Sequence, residues 1–324
     1  MSGRREKELS LEQKINNKLQ GKPTVISDYY YSLIASGKSY ETAYKYICHI
    51  MLFLDFTFGE KCDEKFYLKV KPIHINKYIT SLRTKTVNGK KERTSDSIRS
   101  VRWSALNSFF QFLVPDYIES NPVASTIRPK MKDNPKVTYL NDDEIAGLLN
   151  NVEKNSKDKF KNRDLCILKL GFSTGLRVSA IVQIDIGDID FKNNQIRITE
   201  KGDYDDYIMF GDNMKKQLLL WIEDRNKYFG NCDTDALFIS QLGTRISDDM
   251  IAHMIKKYAK DITDKKVTPH VMRHSCATNL YEKTGDIYLC ANQLRHKNVT
   301  TTERYAEISK KKQIAATNIL DNLI

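Results

Sequence analysis

The stretch Thr268-Pro269-His270-Val-Met-Arg273-His274 is the part of the sequence that decides most about the fold. Threonine suits the N-cap of a helix, and proline suits the first helical position because no N–H bond is needed there. The stretch therefore predicts a helix that begins at Pro269. His270 and Arg273, three positions apart, then lie on one face of its first turn. Both are polar where a core requires apolar side chains, which marks them as candidates for chemistry.

Further polar residues of the same kind occur along the chain. Thr174-Gly175 interrupts an apolar helix, and Arg177 begins the next one. Residues 195–199 and 206–210 alternate like two strands of a hairpin. The other candidates are Lys201 between those strands, His296 after Leu294-Arg295, and Tyr305 nine residues later.

These residue types fit together around one phosphodiester. Arginines present planar forks to the non-bridging oxygens and stabilise the extra charge of a pentacoordinate transition state. A tyrosine hydroxyl attacks phosphorus when a base takes its proton, and a lysine or a histidine can protonate the departing 5′ oxygen. Because the arginines supply the positive charge, this chemistry requires no metal ion.

The ordered set resembles the tyrosine recombinases of the phage integrase superfamily, in their short two-domain, Xer-like form. Thr174-Gly-Leu-Arg177 is similar to the first arginine box, and His270-x-x-Arg273-His274 to the second. Leu294-Arg-His296 followed by Tyr305 is similar to the C-terminal box, and Lys201 stands where the family keeps a hairpin lysine. The stretch Ser104-Ala-Leu-Asn-Ser-Phe-Phe-Gln-Phe-Leu and the pair Asn121-Pro122 resemble the end of the family's helical domain.

The resemblance implies a fold, a reaction and a role for each catalytic candidate. The fold is mainly α with a small β-sheet: an N-terminal helical core-binding (SAM-like) domain and an α+β catalytic domain. The activity is site-specific DNA recombination without cofactor or metal. The implied roles are a 3′-phosphotyrosyl link on Tyr305, a phosphate clamp by Arg177 and Arg273, general acid Lys201, general base His270, and hydrogen-bond donor His296.

Two positions depart from the family pattern. Ala180 stands three residues after the first arginine, where the family often has an acidic residue. Arg295 replaces the glycine that commonly precedes the C-terminal histidine. Neither change removes a catalytic group, and the extra arginine is a candidate DNA contact.

The domain organisation follows from periodicity and composition. We predict a polar N-terminal tail or frayed helix at 1–22, a helical DNA-binding domain at 23–125, a basic linker at 126–138 and a catalytic domain at 139–324. Residues 313–324 carry an apolar stripe that predicts a C-terminal helix. This helix either caps its own domain or docks on a neighbouring subunit.

The charge distribution favours DNA as the partner. The chain of 324 residues has a formal net charge of +11, and residues 71–110 hold nine basic side chains against two acidic ones. Such a surface is either a solvated face or one that follows phosphates. The candidate DNA contacts are Lys85, Lys90, Lys91, Arg93, Arg99, Arg102, Arg128, Lys130, Lys132 and Arg295.

Other classes of protein fit the sequence less well. No apolar stretch reaches the length of about 20 residues that a membrane span requires. Six cysteines without any CxxC pair are typical of free thiols in a reducing cytoplasm, so we expect a cytoplasmic protein at the nucleoid. His270 and His274 have the spacing of a zinc-binding helix, but Val271 replaces the glutamate of that motif.

Three functions remain open at this point. The leading one is a recombinase that binds double-stranded DNA with inverted half-sites, as a dimer on each site and a tetramer in the synapse. Accessory DNA-bending or directionality proteins are possible partners. The alternatives are a type IB topoisomerase-like strand transferase and a DNA-binding protein without catalysis. The complete set of six catalytic candidates favours an enzyme.

Overall fold

The structure, a computed structural model, describes residues 3–87, 90–130, 137–199, 205–230, 232 and 234–295. The chain divides into two compact units, Met1–Pro135 and Lys136–Ile324. Both are largely helical and each contains a small antiparallel sheet, so the predicted fold class is confirmed. No helix within the described ranges is long and apolar enough to cross a membrane.

The first unit is a helical bundle with one hairpin. Tyr29 of the second helix and Phe109 of the fifth helix are fully buried and meet edge to face, with ring centroids 5.2 Å apart. Phe66 stacks on Phe109 at 6.1 Å. Its elements are α1 (Gly3–Leu19), α2 (Thr24–Ala35), α3 (Tyr40–Phe58), α4 (Pro72–Ser81), β1 (Thr84–Val87), β2 (Lys90–Arg93) and α5 (Asp96–Phe112), with 3₁₀ turns at Gly59–Lys61 and Phe66–Lys69.

Of the two alternatives predicted for residues 1–22, a loose tail or a frayed helix, the N-terminal segment takes the helical one and is longer and better packed than expected. It forms α1, which packs against α3, and Ile15 is fully buried in the core of the bundle. Most of α1 is polar, so one buried isoleucine leaves almost no helical periodicity in the sequence. Composition alone therefore underestimates this helix.

A hairpin occurs within the domain predicted as helical at 23–125. Strands β1 and β2 pair antiparallel, with Thr84 opposite Arg93 and Val87 opposite Lys90. The strands are mostly polar, which hides their alternation. The dipeptide Asn88-Gly89 that separates them in the sequence is nevertheless a typical signal for a tight hairpin.

The beginning of the predicted linker, 126–138, is bound to the first unit. Thr126 is buried, and its hydroxyl accepts a hydrogen bond from Trp103 Nε1 at 2.8 Å. Arg128 Nε donates to Ser100 Oγ at 3.2 Å, and its guanidinium lies over the Trp103 ring, 6.0 Å from the centroid. The chain is thus anchored to α5 before the linker continues.

The second unit surrounds the buried helix that precedes Gly175. That helix packs against four others of the unit, and its residues Ile167 and Leu168 are fully buried. The elements are α6 (Asp142–Asn155), α7 (Asp158–Thr174), α8 (Val178–Gln183), β3 (Ile189–Asp190), β4 (Gln195–Thr199), β5 (Asp205–Met209), α9 (Asp212–Phe229), α10 (Asp248–Ala259), α11 (Pro269–Thr284) and α12 (Ile287–Leu294).

The sheet of the second unit has the strand order β3-β4-β5, with both pairs antiparallel. Ile196 of β4 and Ile208 of β5 are paired across the two strands, and both are buried. Tyr207 and Met209 alternate with Ile208 and are exposed. One face therefore covers the core, as the alternation in the sequence predicts, whereas the two-residue strand β3 is too short to be recognised from the sequence.

Candidate active site

The first arginine follows a tight turn at the end of α7. Gly175 is the C-cap and adopts the left-handed conformation, with φ 64°. The Thr174 hydroxyl donates to Leu170 O at 2.6 Å and accepts from Leu176 N at 3.3 Å. Arg177 is the N-cap residue of α8, and its side chain is exposed. The turn therefore presents this arginine at the surface of the unit.

The turn at Gly175 also requires a residue without a side chain. A Cβ atom there would lie 2.5 Å from Leu294 Cδ2 and 3.2 Å from Cys276 Sγ. Atoms this close overlap, so a larger residue forces the side chains of Leu294 and Cys276 to shift in the core. The glycine brings the end of α7 against the end of α12.

The second box begins α11 as the sequence predicts. Thr268 is the N-cap, and its hydroxyl accepts a hydrogen bond from Val271 N at 3.4 Å. Pro269 occupies the first turn. Within that turn His270 is exposed, whereas Arg273 is buried with 7% of its surface accessible. The two candidates share the start of one helix but differ in environment.

Arg273 connects the three boxes through backbone carbonyl groups. Its Nη1 donates to Gly175 O at 2.6 Å, and its Nη2 donates to Leu294 O. Gly175 lies two residues before Arg177, and Leu294 lies two residues before His296. A buried arginine requires partners of this kind, because an unpaired charge in a low-dielectric interior is costly. One guanidinium thus joins the ends of α7 and α12 to the start of α11.

The third box begins at the end of α12. Asp286 caps this helix by accepting hydrogen bonds from Tyr288 N at 2.8 Å and from Leu289 N at 2.9 Å. The helix ends at Leu294, and Arg295 is its C-cap in the left-handed conformation, with φ 53° and ψ 44°. Glycine adopts this conformation without strain, whereas a residue with a Cβ atom does not.

Comparison with known proteins agrees with this arrangement. Residues 138–312 match the phage integrase family. The tyrosine recombinase XerC of Vibrio cholerae serotype O1 is 30% identical over 230 residues, which are 70% of this chain and 72% of that protein. XerC of Corynebacterium glutamicum is 28% identical over 233 residues, 72% of this chain and 73% of that protein.

The chain belongs to the phage integrase family. Solved structures of the family share its fold. A lambda integrase tetramer bound to a Holliday junction has a TM-score of 0.67 and 17% identity, over 87% of this chain and 76% of that chain. The XerH site-specific recombinase bound to palindromic difH substrate has a TM-score of 0.62 and 22% identity, over 87% of this chain and 80% of that chain.

The structure brings together some of the catalytic candidates expected of a phage integrase. Arg177, His270 and Arg273 belong to the connected ends of α7, α11 and α12 described above. The other three, together with the predicted C-terminal helix at 313–324, lie outside the described residues: Lys201, His296 and Tyr305. In the sequence, Lys201 falls between β4 and β5, and His296 directly follows Arg295.

Buried thiols pack behind Arg273. Burial raises the pKa of Cys276 to about 12, and the nearby Arg273 charge offsets only part of this shift. Cys290 is also buried, and its Sγ lies 3.6 Å from Ala277 O. Cys276 is therefore a thiol at neutral pH, and both side chains fill space in the core. No group of three or more metal-ligating side chains occurs in the described parts of the chain.

Two candidate DNA contacts of the first unit have partners within the protein. Arg99 pairs with Asp96, and both side chains are largely buried. Arg102 Nη1 donates to the Tyr78 hydroxyl at 3.0 Å, and its guanidinium lies 6.0 Å from the centre of that ring. Among the other basic candidates, Arg128 and Lys130 are exposed, whereas the side chains of Lys85, Lys90, Lys91, Arg93 and Lys132 lie outside the described set.

Arg295 has a partner that the sequence does not reveal. Its guanidinium forms an ion pair with Asp206 of β5, and its Nη2 donates to Tyr207 O at 2.7 Å. Asp206 lies 89 residues earlier in the chain, so no local pattern indicates the pair. The missing glycine before the C-terminal histidine is the only signal in the sequence that marks this position as unusual.

Proposed function

We propose that this phage integrase is a site-specific DNA recombinase that cleaves and rejoins DNA through a 3′-phosphotyrosyl intermediate. The observation that carries the proposal is the position of Arg273, which joins the two arginine boxes and the start of the C-terminal box. A site assembled from three distant segments around a guanidinium is suited to binding one phosphate. The relatedness to XerC recombinases over 70% of the chain supports the reaction type.

We assign each catalytic candidate a step in the strand transfer. The Tyr305 hydroxyl oxygen attacks the scissile phosphorus while His270 accepts its proton, forming the bond from tyrosine to the 3′ phosphate. The bond from phosphorus to the 5′ oxygen breaks, and Lys201 gives that oxygen a proton. Arg177 and Arg273 neutralise the charge that develops on the non-bridging oxygens, and His296 donates a hydrogen bond to one of them.

The same groups act in reverse during rejoining. The 5′ hydroxyl of the partner strand gives its proton to Lys201 and attacks the phosphotyrosine, and the tyrosine oxygen leaves with a proton from His270. One bond forms and one breaks in each step, so the energy of the phosphodiester is conserved without a nucleotide cofactor. No step requires a metal ion.

The domain roles follow from the same proposal. The helical domain at 23–125 and the catalytic domain at 139–324 both bind double-stranded DNA, and the basic linker at 126–138 joins them. Exchange between two duplexes requires four active sites, so we expect a dimer on paired inverted half-sites and a tetramer in the synapse. A lambda integrase structure of related fold is a tetramer on a Holliday junction. We also propose that accessory DNA-bending or directionality proteins act as partners. The proposed location is the nucleoid in the cytoplasm.

Covalent trapping on DNA tests the proposal. A duplex nicked close to the cleavage site loses a short fragment after attack, so the 3′-linked protein accumulates. We expect the wild-type protein to accumulate this adduct in EDTA, and the Tyr305→Phe variant to bind the DNA without forming it. Tyr288, which is 68% exposed on α12, provides the matched control, and Tyr288→Phe should react like the wild type.

The outcomes separate the proposed function from its alternatives. Exchange of strands between two duplexes supports a recombinase, whereas relaxation of a supercoiled circle without exchange indicates a topoisomerase-like enzyme. Specific DNA binding with no adduct from the wild-type protein indicates a protein without catalysis. An adduct formed by Tyr305→Phe at the wild-type yield contradicts the assignment of the nucleophile.

A further inference from the structure

Arg295 adopts a backbone conformation that is unfavourable for an arginine. Its φ of 53° is positive, and Asn194 is the only other non-glycine residue in the described ranges with a positive φ. The left-handed conformation costs roughly 1 kcal/mol for a residue with a Cβ atom. Asparagine tolerates this conformation well, but arginine does not. The side chain at this position therefore needs an explanation.

The guanidinium of Arg295 joins the end of α12 to strand β5. Its Nε contacts the Asp206 carboxylate, and its Nη2 donates to Tyr207 O at 2.7 Å. Its Nη1 donates to Gln293 O at 3.3 Å. All three nitrogens thus have acceptors in the protein, and only 18% of the side chain is exposed. The predicted role of Arg295 as a DNA contact is difficult to combine with this arrangement.

The contacts lie near the end of the β4–β5 hairpin, and Lys201 falls between these two strands in the sequence. Ile198 pairs with Asp206, and the next pair, Thr199 with Asp205, is the last of β4 and β5. In the sequence, Lys201 precedes Asp206 by five residues, and His296 directly follows Arg295. The interaction between Asp206 and Arg295 therefore connects β5, the strand that follows Lys201 in the sequence, to the end of α12, the helix that precedes His296.

We propose that Arg295 is a positioning residue that holds the β4–β5 hairpin against the end of α12 and so places Lys201 for proton transfer. This inference rests on the proposed role of Lys201 as general acid. Because proton transfer depends steeply on distance and direction, a small displacement of the lysine slows the step that protonates the 5′ oxygen. The planar fork of arginine fixes a carboxylate and a carbonyl together, which lysine cannot do.

Three variants test the contact without threatening the fold. Arg295→Gly removes the guanidinium and its three contacts but relieves the left-handed backbone, so the two effects on the unfolding temperature partly offset each other. Arg295→Lys keeps the charge but loses the fork, and Asp206→Asn removes the partner charge. Arg197→Gln is the matched control, because Arg197 on β4 makes an ion pair with Asp188, which directly precedes β3.

The readout is single-turnover cleavage of two nicked duplexes that differ in one atom. One has the normal 5′ oxygen at the scissile phosphate and the other has sulfur there. A thiolate leaves without a proton, so the sulfur substrate does not require a general acid. We expect Arg295→Gly and Asp206→Asn to slow cleavage of the oxygen substrate by about tenfold or more, a scale typical of a displaced acid.

On the sulfur substrate we expect both variants to cleave within about twofold of the wild type, with unchanged DNA affinity, since the general-acid step is bypassed there. Arg295→Lys should fall between Arg295→Gly and the wild type, and Arg197→Gln should match the wild type on both substrates. The double variant of Arg295→Gly with Asp206→Asn should be no slower than either single change. These results together support the positioning role.

Lys201→Ala separates failure of this inference from failure of the proposed function. If sulfur rescues Lys201→Ala but not Arg295→Gly, the positioning role is wrong and the assignment of the general acid stands. The positioning role is also wrong if Arg295→Gly cleaves the oxygen substrate at the wild-type rate. It is equally wrong if the DNA affinity of this variant falls by the same factor as its cleavage rate. If sulfur fails to rescue Lys201→Ala, the role of the lysine is contradicted, and the inference falls with it.

Discussion

Arg177 and Arg273 have the same proposed partner, the scissile phosphate, but the protein holds them in different ways. Arg273 is buried at the start of α11, where its guanidinium donates to two backbone carbonyl groups. Arg177 is exposed at the N-cap of α8, directly after the turn at Gly175. Arg273 joins three chain segments, whereas Arg177 lies at the surface that those segments form.

The difference in burial allows effects on stability to be distinguished from effects on cleavage. Loss of a buried guanidinium leaves two carbonyl groups without donors and removes a link between helices. Loss of an exposed side chain changes mainly what the surface binds. Replacing each arginine should therefore have similar consequences for cleavage and very different consequences for stability.

Arg273→Ala should have the largest effect. We expect cleavage to fall by at least about a hundredfold through loss of a donor to the transition state. The free energy of unfolding should fall by about 2–4 kcal/mol, because the carbonyls of Gly175 and Leu294 lose their partner. Single-turnover cleavage and urea unfolding measure the two quantities.

The matched control for Arg273 is another buried arginine. Arg225 on α9 is 6% exposed and donates to the carbonyls of Ala236 and Thr234, at 3.1 and 2.6 Å. Arg225→Ala should lose a similar stability, yet its folded fraction should cleave DNA at the wild-type rate. An equal loss of cleavage in both variants contradicts a catalytic role for Arg273.

Arg177→Ala should be as defective in cleavage but fully folded. We expect a loss of at least about a hundredfold in single-turnover rate, since the transition state again loses a charged donor. The free energy of unfolding should change by no more than about 0.5 kcal/mol, as is typical of exposed positions. DNA affinity should change little, because many basic groups contribute to it. A marked fall in stability would contradict the contrast.

Gly175→Ala should disturb the turn that places both arginines. The left-handed conformation costs about 1 kcal/mol for alanine, and the overlap with Leu294 and Cys276 adds about 1–3 kcal/mol. Gly37 has the same left-handed conformation, with φ 77°, but no atom of the described residues lies within 4 Å of the point that a Cβ atom would occupy there. Gly37→Ala should therefore cost only about 1 kcal/mol and leave cleavage unchanged. Equal costs for the two glycines would show that the contact with α12 is unimportant.

The prediction furthest from catalysis concerns the buried Cys276 thiol near Arg273. Because the thiolate is the reactive form and the pKa of Cys276 is raised to about 12, alkylation at pH 8.5 should be slow in the folded protein. Unfolding in urea restores an ordinary thiol pKa, so the rate at this position should rise by about a thousandfold or more. Mass spectrometry of the alkylated peptides measures both rates. Rapid labelling of the folded chain indicates that the turn opens.

The sequence predicts the elements whose signals are local. Ser39 caps α3 by accepting from Thr42 N, and Thr268 and Pro269 begin α11, all as their residue types indicate. Helix α1 is predicted only as one of two alternatives, because its burial depends on what it packs against, and the polar hairpin β1–β2 is missed. Capping residues therefore predict the ends of helices well, whereas polar helices and polar strands leave little signal in the sequence.

The candidate site divides in the same way. The residues of the arginine boxes are evident from their spacing, but what holds them is not. Arg273 reaches a carbonyl 98 residues away, and Arg295 reaches a carboxylate 89 residues away. Contacts over such separations follow from the packing of whole helices, and no pattern along the chain encodes them.

The central claim is that both arginines act on the charge of the scissile phosphate, although one of them also holds the fold together. A duplex with a methylphosphonate at the scissile position tests it, because a methyl group replaces one charged non-bridging oxygen. The measurement is the ratio of wild-type to variant cleavage rates, for Arg177→Ala and Arg273→Ala, on both substrates. We predict a ratio of at least about 100 on the phosphodiester and a ratio at least about tenfold smaller on the methylphosphonate, since less charge needs a donor there. The same ratio on both substrates for Arg273→Ala would contradict the claim and leave that arginine with a structural role alone.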